Sequence, residues 1–338
     1  MRIQSVDFIR GIAILIMICA NAYPYLAISE NCSFALRVLF SSAAPIFIFL
    51  SGFSLRLAIE NNSTSKKLYL RAFQILFIAT FIDTLIWNIA PFYTMDVLYL
   101  ISYSMLILLL IRSFSWISIL FLALLVFSLT GISSSSYHFE LAELTLESFS
   151  FEYFSRDIVR HICIDGWFPI IPWMGAALLG YILCERRHLL SKYASVILFT
   201  GIATFTLFML SLVLSSHEFN PVRDGYTEIF YPVTLPFMIY MVSLYCLIVY
   251  MVVRDFPFNG IISTIGTYSL PIYLIHTVLI KFITPFFTQS SDEFQITLFG
   301  IGLSSLYLLI TIYAFILQRV APVLKQSSYR PIRFVLGL

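Results

Sequence analysis

The chain has 338 residues, 60% hydrophobic and 11% charged, with a mean hydropathy of +0.92. That composition excludes a soluble globular domain. A formal net charge of +2 argues against nucleic acid as a partner, and no CxxC or histidine-rich spacing points to a metal. A membrane crossing takes about 20 predominantly apolar residues, and ten segments qualify. They run near 8–28, 35–57, 68–88, 95–112, 114–132, 167–184, 193–214, 231–253, 260–284 and 295–318. The expected fold is an all-α polytopic membrane protein of about ten transmembrane helices, a single integral-membrane domain over 1–338 with the lipid bilayer as a partner.

The first segment, RIQSVDFIRGIAILIMICAN, is too long in its apolar run to be a cleavable signal. It carries Asp7 and Arg10, i,i+3 neighbours able to pair, and Asn21 eleven residues beyond Arg10. At about 100° per residue Asn21 returns to nearly the same face, roughly 16 Å along the axis. Charged residues in a membrane helix are costly, so they face protein interior and mark function. In the second segment, Ser41, Ser42, Pro45, Ser51 and Gly52 suit close helix packing or a ligand-lining face. Beyond it, Arg56, Lys66, Lys67 and Arg71 suit the phosphates of a cytoplasmic cofactor, or simply the topology-setting charge of an inner loop. Asp83 is an intramembrane carboxylate in the third segment, and Asp96 opens the fourth.

The stretch 132–165 is the one substantial extramembrane piece. Its LAELTLESFSFEYF run has the spacing of an amphipathic segment lying along the membrane surface. Trp167–Leu183 combines two tryptophans with Pro169, Pro172, Gly175 and Gly180, a pattern of interfacial anchoring and close packing. The ninth segment holds His276, the only histidine within a span, with Tyr273 one turn earlier. Histidine exchanges a proton near neutral pH and is the default general base at that depth; a hydrogen-bonded structural histidine is the other reading. Both His276 and Asn21 fall roughly 20 Å from the inner ends of their helices. Cys32 and Cys163 lie in outer loops and are expected as free thiols.

Orientation follows from the loops. With the N-terminus inside, fifteen of the twenty Lys and Arg residues fall on the cytoplasmic side and five (Arg37, Arg156, Arg160, Arg223 and Lys281) outside. The chain is therefore read as N-in and C-in, in the plasma or inner membrane of the cell.

Five motifs occur in one order over about residues 4–280: SVDFIRGIAILIMICAN, APIFIFLSGFSL, DVLYLISYSMLI, FPIIPWMGAALLGYIL and YSLPIYLIHTVLI. Together they resemble the transmembrane acyltransferases typified by heparan-alpha-glucosaminide N-acetyltransferase and their bacterial relatives of the domain-of-unknown-function type. The resemblance implies an enzyme that takes acetyl-CoA from the cytoplasmic side and delivers the acetyl group to an amine or hydroxyl, usually of a sugar or glycan, at the far side. It carries over Asp7, Arg10, Asn21 and His276 as catalytic positions; the charge of the inner ends adds Arg10, Arg56, Lys66, Lys67 and Arg71 as cofactor-binding candidates. Two departures stand out: residues 22–36 lack the loop histidine of the eukaryotic enzymes, and Tyr99 replaces the family's glutamine. A proton-coupled secondary transporter or exporter and a catalytically silent relative are the alternatives, and pairing into a homodimer is left open.

Overall fold

A computed structural model of the chain describes residues 3–26, 32–130, 150, 158–214, 227–230, 233–256, 260–283 and 295–326. Most of the expected surface segment 132–165 lies outside the described residues. Among those described there is no strand, and twelve α-helices follow one another: α1 (Gln4–Leu26), α2 (Phe34–Phe40), α3 (Ala43–Glu60), α4 (Ser65–Phe81), α5 (Val97–Leu110), α6 (Trp116–Ser128), α7 (Ile170–Leu190), α8 (Ala194–Leu214), α9 (Leu235–Val253), α10 (Ile261–Thr267), α11 (Ser269–Ile283) and α12 (Gln295–Gln326).

Six stretches are long and apolar enough to cross a membrane: Gln4–Tyr25, Phe34–Glu60, Ser65–Trp87, Ile170–Leu214, Leu235–Val253 and Gly300–Leu324. The 45-residue stretch Ile170–Leu214 contains two of the ten expected segments. Helices α5 and α6 are apolar but only 14 and 13 residues long. Their starts are set by side-chain caps, Asp96 accepting from the Val97 N–H at 2.6 Å and Ser115 from that of Ser118 at 3.2 Å. Such caps satisfy the first turn's orphan donors and fix where a helix begins. The expected ninth segment is broken: α10 and α11 meet at 92°, with Tyr268 between them at φ −102°, ψ 34°. Pro271 explains the break. It has no N–H for the carbonyl of Thr267, and its ring clashes with a helix continuing from there.

The chain divides into two compact units. One comprises Pro45–Ser216 and Pro232–Arg254. There α3 and α7 touch backbone to backbone, since a Cβ on Gly52 would collide with the Ala177 carbonyl and one on Gly180 with that of Phe49. Helix α4 passes into a π-turn at Ile82–Trp87 that Asn88 ends in left-handed conformation, φ 58°, a conformation asparagine tolerates. The other unit comprises Arg2–Ala44, His217–Tyr231 and Asp255–Leu338. Here α1 lies flush on α10: Gly11 has room for no Cβ beside the Ile262 carbonyl, nor Gly266 beside that of Asp7. Small residues at a crossing permit this approach. Helix α12 joins α1 through Tyr307, whose hydroxyl donates to the Leu15 carbonyl at 2.7 Å.

Candidate functional site

The second unit collects four of the residues singled out in the sequence. Near its start α1 pairs Arg10 with Asp7 (Nη1 to Oδ1, 3.2 Å), and the same Nη1 points to the Gly266 carbonyl at 3.5 Å. Three turns on, Asn21 Nδ2 lies 3.1 Å from His276 Nε2. The stripe along α1 thus meets α10 at one end and α11 at the other. His276 is completely buried, with the edge of the Tyr273 ring packed against it at a centroid distance of 5.0 Å. Its Nδ1 has no hydrogen bond of normal geometry, although the backbone carbonyls of Ile272 and Tyr273, one turn back, bear on the ring. A neutral imidazole that accepts from the Asn21 amide through Nε2 keeps its proton on Nδ1, toward those carbonyls. The assignment of amide and tautomer rests on this bonding pattern.

The other cationic candidates belong to the first unit. Arg56 is not isolated: it reaches Glu60 at 3.4 Å and Glu185 at 3.6 Å and donates to the Tyr181 hydroxyl at 3.3 Å. Arg187 donates to the same Glu60 at 2.6 Å. Arg71 donates to Gln74 at 2.9 Å. Lys66 and Lys67 are exposed in the first turn of α4, whose N-cap Thr64 makes no side-chain cap. A helix start without a side-chain cap and with two lysines suits an anion.

Further buried polar groups lie in that unit. Asp83, at the π-turn, accepts from Thr94 at 3.2 Å. His161 Nδ1 lies 2.8 Å from Asp165, which Arg160 also bridges at 2.5 Å. The i,i+4 spacing of His161 and Asp165 was the available signal. Equally, the Arg56–Glu60 spacing announced one partner of Arg56, while Arg187 lies too far along the chain for any local pattern to show. All five cysteines are free thiols.

Helices and site define an all-helical protein with apolar helices of membrane-crossing length and a buried histidine bonded to a half-buried asparagine between two of its helices. The model of the heparan-alpha-glucosaminide N-acetyltransferase catalytic family matches residues 2–218, and the chain belongs to that family. No curated protein is similar enough to count as a match. The family match takes in Asp7, Arg10 and Asn21 and ends before His276, so the bond to His276 is an observation made on this chain itself.

Proposed function

We propose that the protein is an integral-membrane acetyltransferase, acting from cytoplasmic acetyl-CoA on a hydroxyl or amine of a sugar at the extracytoplasmic side of the cell's plasma or inner membrane. The observation that carries this reading is the Asn21–His276 bond at 3.1 Å, in a chain whose family is that of an N-acetyltransferase. His276 Nε2 is the lone pair of a buried imidazole held by a neutral donor, a resting arrangement suited to a general base. When an acceptor binds, its O–H or N–H takes the place of the Asn21 amide on Nε2, and His276 accepts that proton as the new bond to the acyl carbon forms. The displaced amide of Asn21 is a hydrogen-bond donor for the negative charge developing on the acyl oxygen, where a preorganised donor counts most. The imidazolium then returns the proton to the leaving sulfur. Acetyl-CoA, when bound, supplies an acyl group already activated as a thioester. Lys66 and Lys67 at the start of α4 are the first unit's candidates for its phosphates, with Arg56 and Arg71, which already hydrogen-bond within the protein, contributing mainly field; Arg10, in the second unit, is paired with Asp7. Asp7 keeps Arg10 in place.

Ten crossings with both termini inside accord with this chemistry, since the basic clusters then face the cytoplasmic donor. One feature, the break between α10 and α11, also suits a proton-coupled transporter, because such sites are built at discontinuous helices. Binding of acetyl-CoA to the purified protein, followed by transfer of a labelled acetyl group to glucosamine and to neutral sugars, separates the two. The acetyltransferase reading expects both; absence of acetyl-CoA binding refutes it.

A further inference from the structure

Beyond the family-matched residues, the described segment 227–230 is fastened to α2 within the second unit. Arg37 Nε donates to the Thr227 carbonyl at 2.7 Å, and the Ile229 N–H donates to Ser41 at 2.8 Å. Between these two bonds stands Glu228, 9% exposed. Its carboxylate interacts with the backbone N–H groups of Thr227 and of Glu228 itself and with the Arg37 charge. Yet Oε2 has no hydrogen-bond partner among the described residues. An unmet buried carboxylate oxygen is costly, and native structures keep one where a ligand or water completes it.

We propose that Glu228, beside Arg37, is an anchoring subsite for a sugar hydroxyl of the acceptor, a specificity determinant of the transfer proposed above and dependent on that reading for its role. A hydroxyl is favoured over an ammonium group by charge. The Arg37 charge already bears on the carboxyl, so a cationic ligand would stand near a second cation, whereas an O–H satisfies Oε2 and adds no charge. The position fits an acceptor site. Ala20 and Tyr23 of α1 pack with Cys32 and Phe40, the Tyr23 and Phe40 rings lying 5.5 Å apart, and Cys32 interacts with Thr227 and Glu228. The same turn of α1 presents Asn21 to His276. Anchor and base therefore flank one helix, whose width with side chains is about 10 Å. The anchored hydroxyl belongs to a part of the acceptor remote from the group that reacts, which calls for an acceptor larger than one sugar ring.

The test is binding of cellobiose, a neutral disaccharide, to the full chain in lipid nanodiscs without any acyl donor, followed by saturation-transfer NMR. Wild type should bind; Glu228→Ala should weaken binding at least tenfold, and Glu228→Gln, which keeps one acceptor oxygen, by a smaller factor. Should the alanine variant fail to fold, the glutamine variant decides. Unchanged cellobiose binding in a folded Glu228 variant overturns the proposal, as does Glu228-dependent binding of glucosamine with none of cellobiose. If cellobiose binds through Glu228 but acetyl-CoA does not bind at all, the subsite stands and the acetyltransferase reading falls.

Discussion

Replacing Asn21 by leucine, close to its shape but without the amide, isolates the bond at the centre of the site. His276 is fully buried, so losing the amide 3.1 Å away strands Nε2 in apolar surroundings, a cost of about 1–3 kcal/mol. That lowers stability but leaves a membrane protein that still inserts. The effect on transfer should be larger. If the amide also serves the developing oxyanion, removing it costs on the order of 10²-fold in rate, with acetyl-CoA affinity within a few fold. A double-mutant cycle with His276→Ala sharpens the test, because partners in one hydrogen bond couple by about 0.5–3 kcal/mol whereas independent residues add. Melting in nanodiscs gives the stability cycle and single-turnover acetyl transfer the kinetic one. Both cycles should show coupling. Additive losses in stability would refute the bond; coupling in stability with wild-type turnover for Asn21→Leu would leave the pair a packing device.

Reporter fusions after Lys67, Arg187 and Arg254 should read cytoplasmic and those within 133–165 external; the reverse would place fifteen of twenty basic residues on the disfavoured side. Gly266→Val puts bulk where α10 meets the Asp7 carbonyl and should lower expression and melting temperature more than Gly300→Val, whose surroundings are open. Burial pushes the Glu228 carboxyl up from its ordinary 4.5 to about 7, against the opposing pull of backbone N–H groups and Arg37. A carboxyl raised on folding stabilises most below about pH 4.5, and that contribution, about 3 kcal/mol for such a shift, is lost as pH rises through 7. Melting temperature should therefore fall across this window in wild type and fall less steeply in Glu228→Gln; identical slopes would show Glu228 already ionised when buried. Arg10→Ala should lower stability before it touches catalysis, measurable as a reduced melting temperature with residual transfer per folded molecule.

Much of the second unit was legible from the chain. The spacing of Asp7, Arg10 and Asn21 is a helical periodicity, so a single stripe followed from about 3.6 residues per turn. Depth arithmetic likewise set Asn21 and His276 at one level, though only the fold shows them bonded. The break at Tyr268 was hidden because apolar composition passes through it unchanged; Pro271 signalled it, but proline is common enough in membrane helices to be read through. The short α5 and α6 were overrun for a related reason: apolar composition runs on beyond both ends of each helix, across the N-caps Asp96 and Ser115 at which the helical hydrogen bonding begins. Glu228 and Arg37, nearly two hundred residues apart, had no local pattern to join them, and Arg37 read only as one more outer charge.

The two ends of the α1 stripe do different work, and the broken helix is the reason. Interrupting a helix inside a membrane leaves carbonyls without intrahelical donors, and these must be met by protein groups. Arg10 reaches the Gly266 carbonyl near the broken end of α10, and Asp7 balances the charge that this requires. That pair is accounted for by the architecture alone. No such demand explains the other end. His276 lies inside continuous α11, whose ladder needs no side-chain help, and a leucine or methionine would fill its fully buried position without the cost of hiding an imidazole. A polar pair where packing asks for none is what the proposed chemistry would use. The break adds to this, because it frees the start of α11 from the line of α10 and lets His276 be set against Asn21 independently of the close backbone contact that fixes α10 on Asp7.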